Sequence, residues 1–337
     1  GDTNIGIGVA AGALLTTGGQ NTIIGSEAGD TMTGTSGTVI IGYQAGDAIN
    51  STDADGTVAI GYQAGGAITS GIGNVAIGYE ALLTEDTGGG NTAIGYQALK
   101  LQNNDSSTAG NTVIGYQAAT AYTAHQRNTI IGYQAALSAD GGENNNTIIG
   151  YKAGMSINSN DASSNVIIGK EAGTGGAGKI EGTVIIGARA MNSTATQQQI
   201  GTIAIGFDAL TALTSGTSNT AIGYKAGQGI TTANKNTIIG FEAAYSSSAN
   251  DDMVVVGHQA GYNLNGNDHT GAVLIGSQAG YNLTNDHPAQ RGSMYIGYQA
   301  GYNFTTANTS MGIGFKALWG EYVGANGNSH SNSYGGH

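Results

Sequence analysis

The stretch NTAIGYQAL, residues 91–99, decides how this chain folds, because close copies of it recur from one end to the other. Its glycine returns in 18 copies between Gly8 and Gly314, at intervals of 17 to 21 residues and with a mean spacing of 18. A short, sustained period of this kind is typical of a solenoid, in which each repeat is one coil that stacks on the next. We therefore predict an all-β, parallel β-solenoid of about 18 coils.

The positions around the repeated glycine have fixed chemistry. Ile precedes it in 17 copies and Val256 in the other, and Ala follows three positions later in all 18. An aromatic residue usually comes directly after the glycine, and then Gln, Glu or Lys. The repeat positions that we predict to be structural are Ile94, Gly95, Tyr96, Ala98, Ile114, Gly115, Ala118, Ile131, Gly132 and Ala135.

The strand of each coil is apolar on both faces. Neighbouring side chains of a strand point to opposite faces, so Ala93 and Ile94 point in opposite directions. A strand that is apolar on both faces is normally buried on both faces. One solenoid can cover only one of them, so we expect the chain to form oligomers.

The remaining columns give further expectations. The glycine needs either a positive φ or room for another backbone. The aromatic column should stack into a ladder, because coils lie about 4.8 Å apart. We expect the Gln column to face water. We also expect a second, shorter strand seven residues after the glycine, and an inward-facing Thr column, which argues against an ice-binding surface.

The region after residue 253 carries a second aromatic column in the segments 261–264, 280–283 and 301–304. It either fills the core near one end, or forms an exposed contact strip for a glycan or a partner, built by Tyr262, Tyr281 and Tyr302. The repeat predicts one solenoid domain over residues 1–318. Residues 319–337, rich in Gly, Asn, Ser and His, are expected to be a flexible tail or a junction.

The composition excludes several classes of function. With a net charge of −12 and only 10 Lys and Arg, the chain has no basic stripe for nucleic acid. No apolar run approaches the roughly 18 residues that span a bilayer. There is no Cys, and the six His are scattered without metal-ligand spacing. We expect no cofactor and no enzyme, although the sequence leaves open a Ca²⁺ ion between coils and a glycan depolymerase.

Paired carboxylates are the remaining candidates for chemistry, because two such groups can hydrolyse glycosides or hold Ca²⁺. They lie between copies of the motif, in polar connections rich in Gly, Ser, Thr and Asn. We interpret them as solvated turn residues. The pairs are Asp53 with Asp55, Glu85 with Asp86, and Asp251 with Asp252.

The motif resembles two groups of proteins. NVAIGYEA at residues 74–81 is similar to the head repeat of trimeric autotransporter adhesins, and NTAIGYQA at residues 91–98 resembles the repeat region of bacteriophage tail fibres. The resemblance covers roughly residues 4–318 and implies a left-handed β-roll in a homotrimer. The period of this chain is longer than that of the adhesin repeat.

The resemblance also implies a function. We expect a structural fibre protein, most closely a bacteriophage tail fibre shaft that contributes to host attachment. The alternative is a bacterial surface adhesin head or a self-assembling extracellular filament subunit. Its partners would be further copies of itself and a cell-surface glycan or protein receptor, and its location the virion tail or the cell surface.

Overall fold

The computed structural model describes residues 3–104, 109–139, 142–157, 162–175, 179–193, 198–265, 269–284, 292–303, 310–319 and 333–335. The chain divides into two compact units, Gly1–Ile167 and Ile168–His337. The described residues are built of three-residue strands and turns, with one 3₁₀ turn at Thr52–Ala54 and no α-helix. The fold is therefore all-β, as the sequence predicted.

Unit 1 stacks its strands in chain order, and every strand pairs in parallel with the next. The register joins equivalent repeat positions, so Thr92, Ala93 and Ile94 pair with Thr112, Val113 and Ile114. Unit 1 is thus a parallel β-solenoid. Its strands are β1 (Ile5–Ile7), β2 (Thr22–Ile24), β3 (Val39–Ile41), β4 (Val58–Ile60), β5 (Val75–Ile77), β6 (Thr92–Ile94), β7 (Thr112–Ile114), β8 (Thr129–Ile131) and β9 (Thr147–Ile149), and β10 (Val166–Ile168) lies at the division of the chain.

Unit 2 repeats this arrangement and adds a second, two-stranded sheet. Its main strands are β11 (Val184–Ile186), β12 (Ile203–Ile205), β13 (Thr220–Ile222), β14 (Thr237–Ile239), β15 (Val254–Val256), β17 (Val273–Ile275), β19 (Met294–Ile296), β20 (Met311–Ile313) and β21 (Ser333–Gly335). Each pairs in parallel with the next. The second sheet pairs β16 (Asn263–Asn265) with β18 (Asn282–Thr284). Unit 2 is also a parallel β-solenoid.

The second strand is less widespread than the sequence predicted. Seven residues after the glycine, apolar side chains do point inward and are buried, as at Ile68, Leu213 and Leu264. Only β16 and β18 form strands there, however, and other described coils have turns. Turn residues already bond to the next coil, as when the Leu99 N–H donates to the Ala118 carbonyl at 3.0 Å. A strand is therefore not needed to satisfy this backbone.

The core is narrow and is filled by small and medium side chains. The middle residue of each strand points inward, and Ala93 and Ile130 are fully buried. The Ala column, including Ala98, is fully buried beside it. Burying a side chain of the size of Ile130 stabilises the fold by roughly 1.5–3 kcal/mol. The predicted tight packing at the Ala column is confirmed.

The repeated glycine meets both requirements that the sequence left open. Gly95 has a φ of 137°, which only glycine adopts without strain. A Cβ at Gly95 would lie 2.3 Å from the carbonyl oxygen of Gly115 in the next coil. Positive φ and close backbone approach therefore act together at this position.

Two further positions of the motif adopt a left-handed backbone conformation, which we did not predict from the sequence. Gln97 has a φ of 54° and Leu99 a φ of 53°. Non-glycine residues in this region cost about 1–2 kcal/mol each. The inter-coil bonds of the same segment offset this, since the Gln97 N–H donates to the Tyr79 carbonyl at 2.8 Å.

A buried column of asparagines joins successive coils of unit 1. The Oδ1 atom of Asn91 accepts from the Asn111 N–H at 3.1 Å, and Asn111 accepts in the same way from Asn128 at 3.0 Å. The Asn111 amide donates in turn to the His125 carbonyl at 2.8 Å. These side chains satisfy backbone groups that would otherwise be buried without partners.

Candidate functional site

The predicted repeat positions separate into an inner and an outer set. Gly95, Gly115 and Gly132 form the close backbone contacts, and each has a φ between 137° and 144°. Their Ala partners, Ala98, Ala118 and Ala135, are fully buried. These six residues shape the coil: the alanines lie in the interior, and the glycines are half-buried.

The isoleucines that precede the glycines lie on the outer face. Ile94, Ile114 and Ile131 end their strands and are half-buried, while the middle residues of the same strands are fully buried. Strand register places them in one row, because Ile94 pairs with Ile114 and Ile114 with Ile131. Unit 2 carries the same row, in which Ile239 is 37% and Ile275 is 36% exposed. We call this row the isoleucine row.

The Thr column lies beside the isoleucine row, and the prediction that it faces inward is wrong. Thr92, Thr112 and Thr129 are half-buried on the outer face of their strands. They lie on the same strand face as the isoleucine row, while the middle residue of each of these strands points into the interior. The outer strand face is therefore formed by β-branched Thr, Val and Ile side chains.

Tyr96 belongs to an exposed aromatic ladder, as the sequence predicted. Ring centroids of successive coils lie 4.9 to 5.5 Å apart and the rings are nearly parallel. Tyr96 is 40% exposed. Because each ring covers the face of the next, the ladder presents ring edges and hydroxyls to solvent. The ladder of unit 1 comprises Tyr43, Tyr62, Tyr79, Tyr96, Tyr116, Tyr133 and Tyr151.

The column after the tyrosines is a hydrogen-bonded ladder of half-buried side chains, so it faces water only in part. Gln97 donates to Glu80 at 2.9 Å, Gln117 to Gln97 at 3.1 Å and Gln134 to Gln117 at 3.0 Å. Each amide uses one N–H and one oxygen within the ladder. One N–H of each amide remains for another partner.

A second aromatic ladder occurs in unit 2. Tyr245, Tyr262, Tyr281 and Tyr302 are half-buried, so the predicted strip is a surface feature. Their rings stack at 4.9, 5.0 and 4.9 Å with interplanar angles of 4° to 6°. Trp319 continues the ladder at 6.2 Å from Tyr302. Phe304, the last residue of the third segment, lies outside the described residues.

A first ladder of unit 2 occupies the position that Tyr96 holds in unit 1, and two lysines lie between it and the second ladder. Its stacked rings are Phe207, Tyr224, Phe241 and His258, and after the interruption at Ser277 also Tyr298 and Phe315. Lys225 Nζ lies 5.3 Å from the Tyr224 ring centroid and 5.6 Å from that of Tyr245. Lys316 likewise lies 5.6 Å from the Phe315 centroid and 5.3 Å from that of Trp319. One lysine side chain therefore reaches both ladders.

One prediction about the carboxylate pairs is wrong: Glu85 was expected to be solvated but is fully buried. Its Oε1 accepts from the Gly88 N–H at 2.8 Å and from the Asn104 N–H at 3.2 Å, and these bonds replace the lost water. Burial raises the pKa of Glu85, and these bonds oppose the rise. The exposed Asp55 accepts from the Ser36 N–H at 2.7 Å.

The other members of the pairs are at least partly exposed. Asp53 and Asp252 are exposed, while Asp86 and Asp251 are half-buried. Asp86 accepts from the Thr69 hydroxyl, and Asp251 accepts from the Asn234 N–H at 2.7 Å. Several of the predicted carboxylates, including Asp55, Asp86 and Asp251, therefore accept hydrogen bonds from the neighbouring coil.

His125 and Glu143 form a buried pair in unit 1. His125 Nε2 lies 2.5 Å from Glu143 Oε2, and both side chains are 1% exposed. The Thr123 N–H donates to His125 Nδ1 at 3.1 Å, so the ring proton lies on Nε2 and is donated to the carboxylate. His287, His330 and His337 lie outside the described residues.

The described part of the chain shows no group of three His, Asp or Glu side chains arranged to hold a metal ion. Within the same residues, no helix has the length and apolar character to span a membrane. No protein-family model matches the sequence, and no curated protein matches it. The features that could carry a function are therefore the isoleucine row, the aromatic ladders and the polar column between them.

Proposed function

We propose that this protein is a structural fibre protein, most closely a bacteriophage tail fibre shaft that contributes to host attachment. The observation that carries the proposal is the isoleucine row, which leaves an apolar strand face on the outside of each unit. A contiguous exposed apolar surface of this kind typically marks an interaction site. The resemblance of the motif to fibre and adhesin repeats supports the same assignment.

The occupant that fits the isoleucine row best is a second and third copy of the chain. Isologous or cyclic association places identical rows against one another, and identical coils share one spacing. Each Ile side chain that becomes fully buried adds up to roughly 1.5–3 kcal/mol. The predicted left-handed winding and homotrimer belong to this proposal, as do a location on the virion tail or the cell surface and a receptor at that surface.

Analytical ultracentrifugation of the purified chain tests the proposal. We expect a discrete species of three times the chain mass. The double variant Ile114→Asp/Ile131→Asp places two charges in the row and should sediment as a monomer, because burying unpaired charge is costly. The matched control, Gln117→Glu/Gln134→Glu, adds the same charges to the amide ladder, where Glu80 already stands, and should keep the trimer mass.

Two outcomes would change the assignment. A wild-type chain that sediments as a monomer contradicts association through the isoleucine row. Indefinite polymers in electron micrographs, in place of particles of one size, would favour the self-assembling filament or adhesin over the tail fibre. Under either assignment the protein has a mechanical role, and we assign it no catalytic role.

A further inference from the structure

The second ladder of unit 2 lies beside a column of polar side chains suited to a ligand. In that column Gln259 donates to Glu242 at 3.0 Å, Gln278 to Gln259 at 3.1 Å and Gln299 to Gln278 at 2.8 Å. These glutamines occupy the repeat position of Lys225 and Lys316, which span the two ladders. This part of the column is therefore made of amides, each with one N–H unused by the ladder.

A second column of polar residues directly follows the tyrosines in sequence. Asn263 donates to Asn282 at 3.3 Å, and Asn282 donates to Asn303 at 2.8 Å. These asparagines directly follow Tyr262, Tyr281 and Tyr302, and they are half-buried. The strip thus combines an apolar ring edge with hydrogen-bonding groups, repeated once per coil.

The shape and period of the strip restrict what it can bind. Because the ring faces cover one another, a flat ligand cannot stack on them, and only ring edges and phenol hydroxyls are accessible. Rings repeat every 4.9 to 5.0 Å from Tyr245 to Tyr302. A sugar residue in an extended polysaccharide advances its chain by a similar distance, and presents C–H groups and hydroxyls at every step. Such a ligand can repeat the same contacts on successive coils.

Charge restricts the ligand further. The central coils of the strip carry neutral Gln259, Gln278 and Gln299, while Lys225, Glu242 and Lys316 lie toward its ends. The chain as a whole has a net charge of −12, which repels polyanions. An uncharged polymer is therefore favoured over an anionic one.

We propose that the strip formed by the second aromatic ladder of unit 2, with the glutamine and asparagine columns beside it, binds a linear, uncharged polysaccharide along the coil stack, one sugar per coil. Sites that join aromatic surface to a few placed polar groups are typical of ligand binding. Tyrosine suits this purpose because it joins an apolar ring to a hydroxyl. This inference rests on the proposed attachment function, since it names the receptor chemistry.

Isothermal calorimetry with soluble β-1,4-linked oligosaccharides of glucose, N-acetylglucosamine and mannose tests the proposal, with an alginate oligosaccharide as the anionic comparison. We expect at least one uncharged ligand to bind and alginate to bind more weakly. Tyr281→Ala should weaken binding by about tenfold or more, the size expected for an interface anchor. Tyr281→Phe keeps the stacked ring, removes the hydroxyl and should weaken binding less.

The matched control is Tyr116→Ala, which opens the single ladder of unit 1 and should leave the affinity unchanged. The proposal is overturned if no uncharged oligosaccharide binds, if alginate binds more tightly, or if Tyr281→Ala and Tyr281→Phe both bind like the wild type. An equal loss in Tyr116→Ala would also overturn it.

Sedimentation of each variant separates this proposal from the fibre proposal. A trimer that binds no uncharged sugar overturns only the polysaccharide site. A monomer that binds sugar overturns only the trimer.

Discussion

The two units of the molecule bury the same columns and differ in one outer column. Unit 1 places Lys100, Thr120 and Leu137 five residues after its glycines, where unit 2 places Tyr262 and Tyr281. The glycine conformation and the buried Ala column nevertheless agree in both. The inner columns therefore determine the coil, and the outer columns can change without altering it. The surfaces that we propose for interaction therefore lie at positions that can vary while the coil is kept.

The largest effect should come from a change in a column that both units share. Gly95→Val would place a branched side chain against the Gly115 carbonyl, at a φ of 137°. We expect a loss of about 2 to 6 kcal/mol from backbone strain and overpacking together, measured by urea unfolding. Gly73→Ala is the control, since a Cβ there meets nothing within 4 Å. An equal loss in both variants would show that close coil approach is not the cause.

A smaller and equal penalty is expected from overpacking the Ala column in either unit. Ala98→Leu and Ala260→Leu each add volume at a fully buried position. Overpacking of this kind typically costs about 1–3 kcal/mol. Hydrogen exchange followed by mass spectrometry reports each unit separately, and should show lost protection around the substituted coil. A penalty in one unit alone would contradict the view that the interiors are equivalent.

Introducing the second tyrosine column of unit 2 into unit 1 tests whether that column accounts for the difference between the units. The triple variant Lys100→Tyr/Thr120→Tyr/Leu137→Tyr should build a second ladder beside Tyr96, Tyr116 and Tyr133. Stacked aromatic pairs contribute about 0.5–1.5 kcal/mol each, so we expect unchanged or slightly higher stability in urea. The variant should also gain polysaccharide binding in calorimetry. A folded variant that binds no better than the wild type would show that unit 2 contributes more than the tyrosines.

The smallest effect concerns Asp47 of unit 1, which lies five residues after its glycine, the position that Tyr262 holds in unit 2. Burial and the neighbouring Asp30 raise the pKa of Asp47 from 3.8 to about 6. The folded state therefore binds this proton more tightly than the unfolded state, and stability falls as the pH rises from about 4 to about 6.

Asp47→Asn removes that pH-dependent loss. It should leave stability nearly unchanged near pH 4 and raise it near pH 7, by less than about 1 kcal/mol because the site is largely solvated. Urea midpoints of wild type and variant at the two pH values measure the difference. An equal difference at both values would contradict the assigned titration.

The period of the sequence was sufficient to predict the strands, the buried Ala column and the stacked tyrosines. It could not show which strand face is inside, because Ala93 and Ile94 are both apolar. The left-handed turn at Gln97 has no signature in its residue type, whereas the turn at Leu99 does, because glycine occupies the same position in other coils, as at Gly46 and Gly65. The burial of Glu85 was equally hidden, since its partners are backbone N–H groups.

The exposed strip could be predicted only in part. The repeated segments around Tyr262 and Tyr281 indicated a second ladder, but its exposure depends on the strand pair β16 and β18, whose Leu264 and Leu283 point inward. The sequence alone shows that Gln recurs at the position of Gln278 and Asn at the position of Asn282. Their bonding along the stack required the coil register.

The matched register between coils has a consequence for how the gene of such a protein can change. Each strand residue of a coil pairs with its equivalent in the next coil, as Ala93 does with Val113. Removing or duplicating one whole coil joins two surfaces that already complement each other. Recombination between its own repeats can therefore lengthen or shorten the protein by whole coils. The new junction then packs as the existing junctions do.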